Sequence, residues 1–236
     1  MLEKLRVVIA AAGRGSRMKS CTNKQYMLLD GRPILSYCLD FFERREVVDA
    51  IVVICGAEEL DYCQSEIIQR FKYRKVTAVL PGGRERQDSI WVGLQNLGDD
   101  TGLVVVHDGA RPFISGEVWT RLVAAAREWG AAIPGVVSKD TLKLVDQDGF
   151  VQQTLPRSSV FAIQTPQIFK YDELVAAYRH AQEDSFQGTD DASLFERYIG
   201  RVKVVVGDYR SLKITTPEDI KVAEALLQQD DNNQGR

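Results

Sequence analysis

Several strand-length segments of this chain are apolar from end to end rather than at every second residue. They stand among the seven strand candidates, at 6–12, 50–55, 76–80, 103–107, 131–138, 160–164 and 202–206. A half-exposed strand alternates apolar and polar side chains, so a strand without a polar face needs cover on both sides. Helical patterns fill the intervals at 33–44, 58–71, 86–97, 115–129, 171–184, 191–199 and 217–227. Pro33 and Pro217 suit a first helical turn, and Gly130 and Gly200 suit C-terminal stops. This alternation predicts an α/β fold built on a doubly wound, mostly parallel sheet. The 236 residues, 44% of them hydrophobic, suit one such domain over 1–228, with a polar tail at 229–236 expected to fray.

One stretch breaks the rhythm. Thr141-Leu-Lys-Leu-Val145, the turn Asp146-Gln-Asp-Gly149 and Phe150-Val-Gln-Gln-Thr-Leu155 read as a β-hairpin with Asp148-Gly149 at its tip, an inserted arm over 139–158. The arm either packs on the edge of the same sheet or embraces a second subunit in a twofold homodimer. Periodicity fits both.

A net charge of -3 offers no general attraction to nucleic acid or to an anionic membrane. Local charge says more: from Lys4 to Leu29 there are six basic residues and no acidic one. Such a patch on a mildly acidic chain suits a small polyanion. The four cysteines lack C-x-x-C spacing, no segment resembles a signal or transit peptide, and no apolar run approaches ~20 residues, so a cytoplasmic, non-membrane protein is expected. Two histidines are too few for a His-rich metal site.

The first strand runs into Ala10-Ala11-Ala12-Gly13-Arg14-Gly15-Ser16-Arg17-Met18. Small residues let the backbone approach a ligand, and successive amides can cradle an anion. A dinucleotide fingerprint fails because Met18 stands where its third glycine belongs, and the Gly-Lys-Ser/Thr of a Walker A loop is absent. What remains is a glycine loop with its own cations, Arg17 and Lys24, or else a tight turn with solvated arginines. The loop over 104–112 places Asp108 past an apolar strand at the same sheet edge, where a hard carboxylate can hold Mg²⁺ and Arg111 can grip a phosphate; capping the next helix is the plainer role. His107 continues the strand and reads as structural. Gly82 and Gly83 precede a helix carrying Ser89, a pattern for main-chain contact with a base edge or for an ordinary helix start. Later, Thr189 or Asp190 can cap one helix and Thr216 another, while Lys213, between apolar neighbours on a short strand, needs an anion to face.

In order and spacing these motifs resemble the 2-C-methyl-D-erythritol 4-phosphate cytidylyltransferase family, from Arg6 to Leu227. The resemblance rests on the 11–18 loop, Lys24-Gln-Tyr26, Gly82-Gly83 with Asp88-Ser89, the 107–112 segment, Asp140-Thr141, Arg157, Thr165-Pro-Gln167, Thr189-Asp190, Lys213 and 216–219. It implies a Rossmann-like nucleotidyltransferase that transfers CMP from CTP to methylerythritol phosphate in the non-mevalonate isoprenoid pathway, releasing pyrophosphate. Arg17, Lys24, Lys213 and Asp108 would be catalytic, with Asp108 also on Mg²⁺. Ala11, Ala12, Gly13, Gly15, Gly82, Gly83, Ser89 and Gly109 would hold CTP. Arg111, Thr141, Arg157, Thr165 and Thr189 would serve the second substrate, Thr141 and Arg157 reaching across a homodimer on the hairpin arm. Two positions depart from the family pattern: Asn23 stands where many members have Pro, which predicts a looser loop, and Gly109 replaces the usual Ala. A ribitol 5-phosphate cytidylyltransferase is the nearest rival, and a nucleotide-binding regulator without turnover is the rival from another class.

Overall fold

The computed structural model describes residues 3–13 and 23–234, with side chains as far as Gln229. Arg14, Gly15, Arg17 and Cys21 therefore lie outside the described residues. In chain order the elements are β1 (Lys4–Ala11), β2 (Leu28–Leu29), β3 (Arg32–Pro33), α1 (Ile34–Glu43), β4 (Val48–Cys55), α2 (Leu60–Tyr62), β5 (Val76–Pro81), α3 (Arg86–Gln95), β6 (Thr101–Asp108) and α4 (Gly116–Trp129). They continue with β7 (Ala131–Val137), β8 (Lys143–Val145), β9 (Val151–Thr154), β10 (Phe161–Ile163), β11 (Gln167–Lys170), α5 (Tyr171–Glu183), α6 (Asp191–Tyr198), β12 (Lys203–Val206) and α7 (Pro217–Gln234).

Strands β5, β4, β1 and β6 lie side by side and parallel. The fully apolar runs of the sequence are covered on both faces, as their composition requires. Val7, Ile9, Ile51, Val53 and Val105 pack on one side with Leu35, Phe42 and Leu122 of α1 and α4. Their neighbours Val8, Val52, Ile54, Val104 and Val106 pack on the other with Leu94, Leu174 and Phe195 of α3, α5 and α6. Successive strand residues point to opposite faces, so each buried strand feeds two cores.

The departures from expectation are informative. Residues 160–164 and the unexpected strand β11 run antiparallel to β7 in one line, and β11 lies between β7 and β6. The line is interrupted at Gln164-Thr165-Pro166, where proline cannot donate to a ladder, so the sequence shows only its first half. The single helix expected over 58–71 is a short α-helical turn that widens into a π-helix at Cys63–Gln69, bringing Cys63, Ile67 and Ile68 inward together. Helix α7 runs on to Gln234, beyond the expected end at Leu227, because no Gly or Pro stands between Leu227 and Gln234 to stop it. Its start is held by Asp219, whose Oδ2 accepts the Thr215 and Thr216 amides at 2.7 and 2.8 Å, in the role expected of Thr216. At α6 the cap is Asp190, which accepts the Ser193 amide at 2.9 Å.

The hairpin forms as expected but is closed differently. The Asp146 carbonyl accepts the Gly149 amide at 3.2 Å and its carboxylate accepts the Asp148 and Phe150 amides, with Gly149 at φ +87° beyond the corner. The tip is thus Gln147-Asp148, and the glycine supplies the bulge after it. Strands β8 and β9 pair only with each other and stay off the main sheet. Their apolar side chains are exposed, Phe150 to 72% and Val151 to 59%.

Candidate active site

The parallel strands end at one edge, where the loops after β1, β5 and β6 meet. Register fixes the meeting: Ala10 of β1 lies opposite Asp108 of β6, and the Gly109 amide donates to the Ala10 carbonyl at 2.9 Å. A cleft of ≈ 530 Å³ opens there, lined by Ala10, Ala12, Gly13, Lys24, Gly83, Arg86, Ser89, Asp108 and Lys213, among others. Beside it, Gly83 on the lining and Gly82 behind it have no room for a side chain. A Cβ on Gly82 would lie 2.5 Å from the Ala12 Cβ, and one on Gly83 2.3 Å from the Asp88 Cβ.

Asp108 is the centre of charge. Its Oδ2 accepts from Lys213 Nζ at 2.7 Å, its Oδ1 pairs with Arg86 Nε at 3.2 Å, and Arg111 Nε stands 3.8 Å away. Burial by itself would raise the pKa of this carboxyl, but Arg86, Lys213 and Arg111 outweigh it and hold the group well below the usual carboxylate range. Lys213 arrives on an irregular segment, not on the strand expected, pinned by the Ile214 amide donating to the Ala110 carbonyl at 2.9 Å. Lys24 begins a 3-10 turn, Lys24–Tyr26. Just before it, the Asn23 amide donates to Glu59 Oε1 at 2.5 Å, so a side-chain tether replaces the rigidity of a proline. Gln25 ties the same turn to the first loop by donating to the Ala11 carbonyl and, at 3.2 Å, to that of Gly13.

Other expected site residues lie outside this cleft or are engaged within the protein at its wall. Arg111 is turned away, donating to the Ser211 carbonyl at 2.8 Å. Thr165 sits behind the carboxylate, where its Oγ accepts the Asp108 amide at 3.1 Å. Ala11 is buried, and Gly82 and Gly109 support the rim through amides bonded to the Cys55 and Ala10 carbonyls. The Ser89 hydroxyl holds its own turn together, accepting from the Gly83 amide at 3.1 Å and donating to the Glu85 carbonyl at 3.0 Å. Thr189 lines a smaller neighbouring pocket of ≈ 200 Å³. Thr141 and Arg157 meet each other at 3.3 Å at the root of the hairpin.

Sequence reasoning gave no role to Arg86, which lines both pockets. A signal was present, because a cation opening a helix is unfavourable with the helix dipole unless anions surround it. Here they do: Arg86 Nη2 lies 2.8 Å from Asp191, whose side chain is 0% exposed.

His107 is structural, as its register suggested. Its Nε2 lies 3.1 Å from the Arg111 carbonyl and its Nδ1 3.0 Å from Thr165 Oγ. A carbonyl only accepts, so Nε2 carries the proton and the Thr165 hydroxyl donates to Nδ1. Burial pushes the ring from its ordinary 6.5 down to about 4, against the pull of Asp108, and it is neutral. Between those values the unfolded chain binds a proton that the folded chain refuses, so stability rises with pH. The His107 contribution is therefore complete above the ordinary value and is lost as pH falls toward 4, a difference on the order of 3 kcal/mol. Urea midpoints at about pH 7 and about pH 4.5 should differ less in His107→Asn than in the parent chain; equal acid losses would show that this ring is not the titrating group.

With this geometry in place, comparison with known proteins fixes the family. The family model for 2-C-methyl-D-erythritol 4-phosphate cytidylyltransferase matches residues 5–229. The cytidylyltransferase of that name from Pelotomaculum thermopropionicum is 46% identical over 226 residues, covering 96% of this chain and 95% of its own. The one from Clostridium acetobutylicum is 42% identical over 220 residues, covering 93% and 96%. Among solved structures, the 4-diphosphocytidyl-2C-methyl-D-erythritol synthase of Anaerococcus prevotii superposes with a TM-score of 0.85 at 37% identity, covering 96% of each chain. That of Thermus thermophilus gives 0.77 at 29% identity, over 95% of this chain and 99% of its own. The doubly wound sheet with its carboxylate-centred cleft is thus the nucleotidyltransferase fold of these enzymes, and this chain belongs to the 2-C-methyl-D-erythritol 4-phosphate cytidylyltransferase family.

Proposed function

We propose that the cleft transfers a cytidylyl group from CTP to the phosphate of 2-C-methyl-D-erythritol 4-phosphate, releasing pyrophosphate. The observation that carries this reading is the convergence of Lys24, Lys213 and Asp108 on one glycine-lined cleft. A phosphate nucleophile is already ionised near neutral pH, so no general base is required. Catalysis then rests on holding the phosphate in line with the α-phosphorus and on offsetting charge as the P–O bond to pyrophosphate breaks. Lys24 and Lys213 supply that charge, together with Arg17, which lies outside the described residues. The Gly82 and Gly83 amides are spent inside the protein, so this turn reads the base through carbonyl oxygens, acceptors for the exocyclic amine of cytosine.

Mg²⁺ fits the donor chemistry. Among the described residues no three His, Cys, Asp or Glu side chains gather as a metal site. A single ionised carboxylate at the cleft floor is nonetheless the protein share usual for Mg²⁺, with phosphates and water supplying the rest. Asp108 would hold the ion, which when bound draws charge from the phosphate oxygens. Three buried, unpaired cysteines, Cys38, Cys55 and Cys63, support a reducing cytoplasm. Among the described residues no helix is long and apolar enough to cross a membrane.

The hairpin arm serves a twofold homodimer. Two strands exposed on both faces are marginal by themselves in water, and covering Leu144, Val145, Phe150 and Val151 requires another surface. Among the described residues Thr141 and Arg157 line neither the main cleft nor the smaller pocket beside it, which supports a role for them at a partner's cleft.

Two experiments test the reading. Pyrophosphate release with CTP and Mg²⁺ should be fast with methylerythritol phosphate and at least ~100-fold slower with ribitol 5-phosphate, and Lys24→Ala should lower kcat by ~100-fold or more without changing the melting temperature. The reverse substrate preference, or near-parental turnover by the lysine variant, would refute it. Separately, Phe150→Glu should shift the sedimenting species from dimer to monomer and reduce turnover in step. A fully active monomer would sink the shared-site assignment.

A further inference from the structure

Arg86 sits on the wall shared by the main cleft and the smaller pocket beside it. It uses two different nitrogens of one guanidinium. Nε faces Asp108 Oδ1 at 3.2 Å, and Nη2 faces Asp191 Oδ2 at 2.8 Å. Asp191 is fixed in turn: its Oδ1 accepts from the buried Tyr178 hydroxyl at 2.6 Å, and the Tyr178 ring stacks on Trp91 with 9° between the planes. The adjoining Asp190 is held by Gln167 Nε2 at 2.8 Å, so the start of α6 is anchored to β11. A buried carboxylate with no access to water needs a permanent cation, and Asp191 has Arg86 for that purpose.

We propose that Arg86 is a positioning residue for cytidylyl transfer: braced from behind by Asp191, it holds one oxygen of Asp108 so that Lys213 is free to leave the other for phosphate. This deepens the active-site reading above and rests on it. The two oxygens of Asp108 have different partners, Arg86 on Oδ1 and Lys213 on Oδ2. Lys213 is the flexible one, a point charge on a four-carbon stem, while Arg86 is a planar fork set between two carboxylates. When an anion enters, Lys213 can exchange a carboxylate oxygen for a phosphate oxygen without Asp108 following it. The same fork joins the reaction centre to the start of α6, next to Thr189. A lysine would have to serve both carboxylates from a single nitrogen, without the fixed geometry of the fork.

The test is a kinetic comparison of Arg86→Gln, Arg86→Lys, Asp191→Asn and the Arg86→Gln/Asp191→Asn pair, with Asp108→Asn as reference. Arg86→Gln and Asp191→Asn should each lower kcat by ~10-fold or more while KM for CTP moves by less than ~3-fold, the signature of an interaction needed in the transition state. Arg86→Lys should recover little. The paired variant should fall no more than ~2-fold below the worse single variant, because both substitutions break one device. Near-parental kcat in Arg86→Gln at an unchanged melting temperature overturns the proposal, and so do effects that simply multiply in the pair. Should Arg86→Gln fail to fold, Tyr178→Phe, which removes one bond to Asp191, must still lower kcat a few-fold with CTP binding intact, and no loss there is equally fatal. An active Asp108→Asn would instead refute the reading of the cleft itself, so the two failures are told apart.

Discussion

A carboxylate buried at the end of a parallel strand must be surrounded by cations, and in this chain Asp108 sets that requirement for the whole sheet edge. Two of its cations come from distant parts of the sequence, Arg86 from the start of α3 and Lys213 from the segment before α7, and Arg111 comes from its own loop. Each must be delivered by the packing of its element. Helix α3 is held by Ile90 and Leu94 in the core shared with Val8 and Val104, and the Lys213 segment by the buried Ile214 beside Leu29 and Ile34. Separate hydrophobic clusters thereby aim charges at one point. The stability of the cores and the chemistry of the cleft are coupled through a single side chain.

The interrupted antiparallel line of β10 and β11 is the second organising element. It leaves the hairpin, runs along β7, breaks at Gln164-Thr165-Pro166 and resumes against β6. The break is what lets Thr165 reach the Asp108 amide and His107, and the resumption places Gln167 against Asp190 and the Ala192 amide. One stretch of chain therefore connects the hairpin, the carboxylate and the start of α6. A shift of the hairpin has a short path to the cleft.

Legibility in the sequence followed physical locality. The apolar strands, the amphipathic helices and the glycine turns are local patterns, and they formed where composition required. Strand β11 was hidden because four residues after a proline carry little periodicity, and its identity as a strand comes from the β6 and β7 edges it fills. The π-helical winding at Cys63 was hidden for the same reason, since burial on a curved surface decides it. At the site, Lys24, Asp108 and Lys213 were readable as charges at loop positions. Arg86 was not, because its meaning depends on Asp191, more than a hundred residues away. Thr165 and Ser89 were readable as hydroxyls near the site. Only coordinates show both engaged within the protein, with His107 and with Glu85.

That engagement bears on how the cleft can hold a polyphosphate. Lys24, Arg86 and Lys213 in one cleft would repel one another if left to themselves, and an empty site built from bare cations would open or draw in counterions. Asp108 and Asp191 offset this at Arg86 and Lys213, so those two cations are already in place before a ligand arrives. The cost is that an incoming phosphate must compete with a carboxylate. Competition is least at the partner that is most exposed and most mobile, and at Asp108 that is Lys213, 38% exposed against 13% for Arg111 and 31% for Arg86. Arg86 is held more firmly protonated than a free guanidinium because Asp191 and Asp108 outweigh the burial that opposes its charge. The arrangement therefore separates fixed charge from transferable charge. Arg86 maintains the geometry of Asp108, and Lys213 is the cation that phosphate can take over.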